Sequence, residues 1–244
     1  MLKRYLHTLR DLFFPVICFS CQKKIPAGIL CASCQEKISF LKPPLCRRCS
    51  LPIKDNSLNY CGSCQGKPAG YHKIISAAIY EEPLSGLIKL FKYRHFDYLG
   101  EFLGRLMINH LTHIGFSGQG YDCLVSVPIH RYRLKARGYN QAGILASLLS
   151  NHFKIPLRND IIEVVQYRPQ QAKLSKSQRR KNISKMFTAD FSAKNLNLLL
   201  VDDIFTTGAT VSACAKSLKE KGANLITVLT LAKTVGNKNH ENNP

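Results

Sequence analysis

Four Cys-x-x-Cys pairs lie within the first 64 residues of this chain: Cys18/Cys21, Cys31/Cys34, Cys46/Cys49 and Cys61/Cys64. A tight turn carrying two cysteines aims two sulfurs at one point, and two such turns satisfy a tetrahedral zinc ion. Nine residues separate the first two pairs and eleven the last two, a span that a short hairpin covers. The spacing predicts two structural zinc ions in tandem ribbons. Each site is expected to close with its neighbour in sequence, although spacing leaves interleaved pairing open. A redox dithiol would instead call for one such pair opening a helix in a strand–helix–strand unit. Pro26, Pro43, Pro44 and Pro52 break any long element here, and apolar content is too low for a separate core, so metal must stand in for one. The remaining cysteines, Cys123 and Cys214, sit among apolar neighbours and read as inert core residues. Thiols kept for metal imply a reducing compartment, hence the cytoplasm.

The rest of the chain has another texture. Residues 1–17 carry Leu2, Leu6, Leu9 and Phe13 on one helical face, which predicts a short amphipathic helix. Ribbons are expected over 18–66, a Gly/Pro-punctuated linker over 66–70, a larger domain over 71–235, and a frayed, disordered polar tail over 236–244. Within the larger domain, strands are expected at 74–80, 122–127, 198–201 and 225–231. Helices are expected at 83–111 (with a break near 95–98), 142–153 and 211–221. Strands alternating with helices indicate an α/β fold with a parallel sheet and active loops at the strands' C-terminal ends. No run approaches the ~18 apolar residues of a membrane-crossing helix, so no integral membrane span is expected.

The chain has 244 residues with 35 Lys+Arg against 15 Asp+Glu, a formal charge of +20. Eight thiolates on two zinc ions contribute −4, which leaves about +16. Residues 123–189 alone hold 13 Lys+Arg and only two acids, Asp160 and Glu163. Such a field asks for an anionic substrate or a polyanionic partner. Tyr132, Tyr139 and Tyr167 interleave with it, so a surface that tracks single-stranded nucleic acid by charge and stacking is one reading. A basic lid over a diphosphate is the other.

One segment carries the chemistry. A buried strand is expected to end in two adjacent carboxylates, Asp202 and Asp203, followed by Thr206, Thr207, Gly208, Ala209 and Thr210 and then a helix. Loop N–H groups and a helix N-terminus cradle a phosphate, and threonine hydroxyls add donors. Carboxylates repel phosphate, so the acid pair must face ribose hydroxyls or a divalent ion. A Walker-type reading would need G-x-x-x-x-G-K-[ST], which this chain lacks.

The acid–threonine stretch resembles the phosphoribosyl-pyrophosphate (PRPP) motif of type I phosphoribosyltransferases. The strand running into Pro128, Ile129 and His130, then Arg131, Arg133, Lys135, Arg137, Gly138, Tyr139, Asn140 and Gln141, is similar to that family's pyrophosphate loop. Arg168, Gln171, Lys173, Leu174, Arg179 and Asn182 resemble its flexible catalytic loop. With the ribbons in front, the whole is similar to the ComF/ComFC competence proteins. The resemblance implies a type I phosphoribosyltransferase-like parallel sheet with helices on both faces. It implies PRPP bound with magnesium, the acids on the ribose 2′ and 3′ hydroxyls and the threonine turn on the 5′-phosphate. Arg137, Arg168 and Arg179 would act as catalytic cations together with Asp202 and Asp203, and residues 128–130 would help hold the ligand. His130 is a candidate for proton transfer. A base-recognising hood is sought in residues 80–98, with Lys92, Tyr93 and Arg94. The family role implied is handling of incoming single-stranded DNA in natural transformation, with a competence helicase or DNA-processing proteins as candidate partners. The alternative is a non-catalytic adaptor that senses PRPP or a nucleotide.

Overall fold

A computed structural model describes residues 15–55, 57–67, 69–93, 95–165 and 186–235. The expected N-terminal helix over 1–17 lies outside them except for its last three residues. The polar tail over 236–244 and the segment holding Tyr167, Arg168, Gln171, Lys173, Leu174, Arg179 and Asn182 also lie outside.

Four parallel strands form the sheet: β1 (Lys73–Ile79), β2 (Cys123–Ser126), β5 (Asn197–Phe205) and β6 (Leu225–Lys233), in spatial order β1-β6-β5-β2. Leu198, Leu199, Leu200 and Val201 are completely buried, as a strand covered on both faces must be. Their side chains alternate. Leu199 and Val201 point into one core, Leu198 and Leu200 into the other. A one-turn helix, α1 (Ala32–Gln35), lies in the cysteine-rich stretch, and the first core is closed by α2 (Leu84–Leu90), α3 (Leu99–His113) and α5 (Gln141–Phe153). The second is closed by α6 (Ala209–Glu220) and an antiparallel pair, β3 (Ile162–Val164) with β4 (Phe187–Ala189). Along α3, Leu99, Leu103, Met107 and Leu111 recur every fourth residue and are fully buried. Gly100 and Gly104 set the α3–α5 distance, since a Cβ there would meet Ile144 Cγ2 at 2.5 Å and Leu148 Cδ1 at 2.4 Å.

Within 71–235 the expected strands and helices are present with shifted ends, and the β3–β4 pair is an addition to them. The interruption of the 83–111 helix falls between α2 and α3, as its sequence suggests. β5 does not stop at Val201. Asp202, Ile204 and Phe205 continue the ladder against Thr230, Ala232 and Lys233 of a β6 that is itself longer than expected, so the acid pair lies inside a strand. The basic stretch after β2 is not an open loop, because Arg131–Arg137 folds as a short helix, α4. It ends at Gly138, whose φ of +86° is the left-handed stop that glycine tolerates best.

The ribbons lie on the β1 edge. Ser39 O accepts from Ile79 N at 2.9 Å, and Leu41 N donates to Ala77 O at 2.9 Å. Arg47 O accepts from Ile74 N at 2.8 Å. The Ser50 hydroxyl accepts from Ser76 N at 2.8 Å. Leu30, Cys34 and Ile38 join the same apolar core as Ala77 and Leu87. The cysteine-rich stretch therefore borrows a core as well as using metal, which its own composition does not reveal. On the opposite edge, Leu157 bridges Leu124 of β2.

Candidate functional site

Two sulfur clusters match the predicted metal sites. In Cys18/Cys21/Cys31/Cys34, and again in Cys46/Cys49/Cys61/Cys64, all sulfurs lie within 4.8 Å of one another. Cys21 Sγ and Cys31 Sγ are 3.7 Å apart, as are Cys49 Sγ and Cys61 Sγ. Zinc–sulfur bonds of ~2.3 Å at tetrahedral angles require sulfurs about 3.8 Å apart, so both clusters fit zinc. Burial works against a charged Cys18, yet donors from the Cys21, Cys31 and Ser20 backbone bring its thiol down to about 6. One of these is Cys31 N, 3.4 Å from the sulfur. A chelating thiolate gains from such donors as a metal-bound imidazole does from its outer partner. Cys123 and Cys214 are buried and belong to neither cluster, and burial raises both thiols.

The second site forms where β5 runs into α6, at the C-terminal edge of the sheet. Asp202 and Asp203 are both partly buried. Asp203 N donates to Asp202 Oδ1 at 2.9 Å, which ties the Asp202 carboxyl back to the strand. Burial, and then the charge of Asp203, push the Asp202 carboxyl well above the usual carboxylate range, while Lys92 pulls the other way. Lys92 Nζ lies 2.9 Å from Asp203 Oδ2, with the two side chains 30% and 13% exposed. Tyr80, at the end of β1, has its phenol raised by burial and by the Asp203 charge.

Beyond the acids, Phe205, Thr206, Thr207 and Gly208 make the turn. Gly208 has φ +75°, and a Cβ there would meet the Phe205 ring at 2.6 Å, so both conformation and space demand glycine. The N-cap of α6 is Gly208, which has no side chain to offer, and Thr207 Oγ1 accepts from Ala209 N at 3.4 Å. An α-helix cannot satisfy the remaining N–H groups of its first turn internally, and Thr206, Thr207 and Thr210 around them are exposed. Lys233 Nζ donates to Thr206 O at 3.1 Å and lies 4.9 Å from the Phe205 ring centre. The turn is thereby fastened to β6.

The loop after β2 emerges beside this corner, because Val127 N donates to Val201 O at 2.8 Å. Pro128, Ile129 and His130 follow. His130 caps α4, its Nδ1 accepting from Tyr132 N at 3.3 Å, and its ring stacks on Tyr132 at 5.1 Å. Arg137 donates to Gln141 Oε1 at 2.9 Å. Tyr139 is not the free stacking ring expected of it. Its hydroxyl lies 2.7 Å from Phe91 O and 2.9 Å from Tyr93 O, and Gln141 Nε2 donates to the same Phe91 O at 3.1 Å. Asn140 caps α5 and donates to Val127 O. In the expected hood, Lys92 joins the acid pair and Tyr93 is exposed, while Arg94 lies outside the described residues.

Comparison with known proteins agrees with the two cysteine clusters and with the fold. Residues 9–65 match the double zinc ribbon domain, and residues 134–244 match the phosphoribosyl transferase domain. "Competence protein F" of Haemophilus influenzae is 31% identical over 222 residues, 89% of this chain and 90% of its own length. The chain belongs to the ComF family. "DNA utilization protein YhgH" of Escherichia coli K12 is 29% identical, across 91% of this chain and 98% of that protein. "Competence protein ComFC" of Bacillus subtilis is 27% identical, across 85% and 90%. A hypoxanthine phosphoribosyltransferase structure from Staphylococcus aureus overlaps 57% of this chain and 76% of its own, with TM-score 0.37 and 17% identity. The parallel sheet with helices on both faces is thus the type I phosphoribosyltransferase-like domain of a ComF protein, behind a double zinc ribbon. No helix among the described residues is long and apolar enough to cross a membrane.

Sequence reading missed the roles of Lys92, Lys233, Tyr139 and Gln141. Lys92 and Tyr139 were visible as residues, but nothing in local spacing pairs Lys92 with an acid 111 positions away. Lys233 could have been suspected, as a cation closing a buried strand.

Proposed function

We propose that this ComF-family protein binds PRPP with magnesium at the β5–α6 corner and acts in the cytoplasm on transforming single-stranded DNA. One observation carries the ligand assignment. A carboxylate pair and a helix N-terminus with a glycine N-cap stand at the two ends of a single threonine-bearing turn, which suits a molecule with a diol at one end and a phosphate at the other. Asp202 and Asp203 would accept from the ribose 2′ and 3′ hydroxyls. Thr206, Thr207, Gly208, Ala209 and Thr210 would surround the 5′-phosphate, with α6 contributing its N–H groups and dipole. Pro128, Ile129 and His130 border the pocket from β2. Magnesium would sit on the diphosphate, where the carboxylates would reach it only through water. Magnesium, when bound, would neutralise diphosphate charge.

The chemistry supported is phosphoribosyl transfer. The anomeric carbon–oxygen bond of PRPP breaks, the bonding pair leaves with pyrophosphate, and an acceptor nucleophile bonds to the anomeric carbon. Developing charge on the leaving group calls for fixed cations. Arg137 is available from α4, and Arg168 and Arg179, outside the described residues, complete the proposed set. Isothermal titration calorimetry with PRPP and magnesium tests binding, and pyrophosphate release across candidate acceptors tests transfer. A chain that binds no PRPP refutes the assignment.

A second reading, the DNA-holding adaptor, draws on a different observation. Burial and then the charges of Arg47, Lys73 and Lys219 lower the His72 pKa, and burial and then Arg47 lower that of Lys73. Cations crowded enough to depress one another favour a polyanion. The names of the relatives, competence and DNA utilization proteins, point the same way, toward single-stranded DNA or a helicase of the uptake machinery. Affinity for a fluorescent oligonucleotide that stays flat between low and physiological salt would exclude this surface.

A further inference from the structure

The acid pair has a cation of its own. Two adjacent carboxylates at the mouth of a site for a phosphorylated sugar present a charge problem. The ligand's phosphate is dianionic, and a carboxyl offers both oxygens as acceptors to a diol only when it is ionised. The 2.9 Å contact from Lys92 to Asp203 places one positive charge beside the pair.

Its placement is built rather than incidental. A free lysine side chain loses much rotamer freedom in holding one geometry, so a useful contact needs an anchored backbone. Lys92 sits between two gripped carbonyls. Phe91 O is bonded by both Tyr139 and Gln141, and Tyr93 O lies within reach of the same Tyr139 hydroxyl. Phe91 itself is completely buried, with its ring 5.7 Å from that of Tyr139. Gln141 is held in turn by Arg137. The Arg137-Gly138-Tyr139-Asn140-Gln141 run thus serves as a clamp on the backbone around Lys92.

We propose that Lys92 is the resident counter-cation of the acid pair, a positioning residue that lets Asp202 and Asp203 bind a ribose 5-phosphate moiety without a divalent ion. Metal is then needed only at the diphosphate end of the ligand. This inference rests on the phosphoribose reading above, and its test separates the two.

The test is calorimetry with ribose 5-phosphate, which lacks the diphosphate, on the full zinc-loaded chain. Since EDTA would also strip the ribbons, magnesium is simply omitted and then added at millimolar concentration. The wild type is expected to bind ribose 5-phosphate equally with and without magnesium. Lys92→Met should lose at least tenfold without magnesium and recover most of it on addition, while Lys92→Arg stays within a few-fold of wild type. Tyr139→Phe, which keeps the charge and loosens the clamp, should lose several-fold in the same direction and covers the case of a misfolded Lys92→Met. A merely structural role for Lys92 would weaken binding regardless of magnesium. A wild type that needs magnesium for ribose 5-phosphate, or a folded Lys92→Met that binds as wild type without it, overturns the inference while PRPP binding stands. A wild type that binds neither ligand removes the phosphoribose site itself.

Discussion

In each ribbon the four sulfurs come from fewer than twenty consecutive residues, Cys18 to Cys34 and Cys46 to Cys64. At the β5–α6 corner the groups around one carboxylate come from Tyr80, Lys92 and Asp202, and the clamp behind Lys92 comes from Tyr139 and Gln141. The ribbon closes short loops around a strong, specific ligand and depends little on neighbours for its geometry. The corner has no such staple, so each contact is worth little and all depend on the sheet and helices being in register. The difference lies in what supplies the energy: one high-affinity ion in the first case, a packed core and several weak polar contacts in the second. The two regions still meet, because the ribbons pair with the β1 edge through Ser39, Leu41, Arg47 and Ser50.

The largest effect should come from the ribbons. Two zinc ions per chain are expected by metal analysis, matching the two sulfur clusters, and a value of one or none breaks the tandem assignment. Structural zinc contributes roughly 10 kcal/mol to the folding of small metal-dependent units. Chelation should therefore unfold the ribbons and expose the β1 edge, read as protease cleavage within 18–64 and as aggregation. If chelation leaves both the ribbons and the sheet untouched, the contrast between the regions is wrong.

Next is the acid pair. Asp202→Asn with Asp203→Asn should reduce PRPP affinity by at least ~100-fold, the ~2.7 kcal/mol expected from losing charged hydrogen bonds to two hydroxyls. Full affinity in that double variant would take the site out of the mechanism.

Gly208→Ala should cost about 1–3 kcal/mol, the usual range for a residue forced into a sparsely populated backbone region. The Phe205 ring must also move away from the new methyl group. For a chain of this size each kcal/mol lowers Tm by about 2–4 °C. An unchanged Tm by calorimetry would mean that the turn is not held as described.

The smallest effect is a shift in pH dependence. Because Asp202 titrates above its unfolded value, the folded chain binds more protons than the unfolded chain between those two values. Stability is therefore lost as pH rises through that window. Asp202→Asn should raise Tm at pH 7 and raise it less at pH 4. A gain that is larger at pH 4 would reverse the sign assigned to this carboxyl.

The legible parts of the molecule share a local cause. Four Cys-x-x-Cys turns, the apolar run at 198–201 and the Thr-Thr-Gly-Ala-Thr turn each announce themselves within one window, because ligand spacing, strand burial and helix entry are short-range constraints. Element boundaries were less legible. β5 runs on through Phe205 only because β6 offers Thr230, Ala232 and Lys233 as partners, and α4 forms in a stretch that reads as an open basic loop. Both outcomes depend on what lies alongside.

The amino-acid order by itself determined the chemistry on offer: eight thiols in two groups, an acid pair next to a phosphate-ready turn, and a surplus of positive charge. Tertiary structure alone decided which charges meet. It brought Lys92 onto Asp203, turned Tyr139 from a surface ring into a backbone clamp, and set the ribbons against β1. Electrostatic and hydrogen-bond partners are chosen by distance in space, and a parallel sheet with helical crossovers brings side chains more than a hundred residues apart within 3 Å.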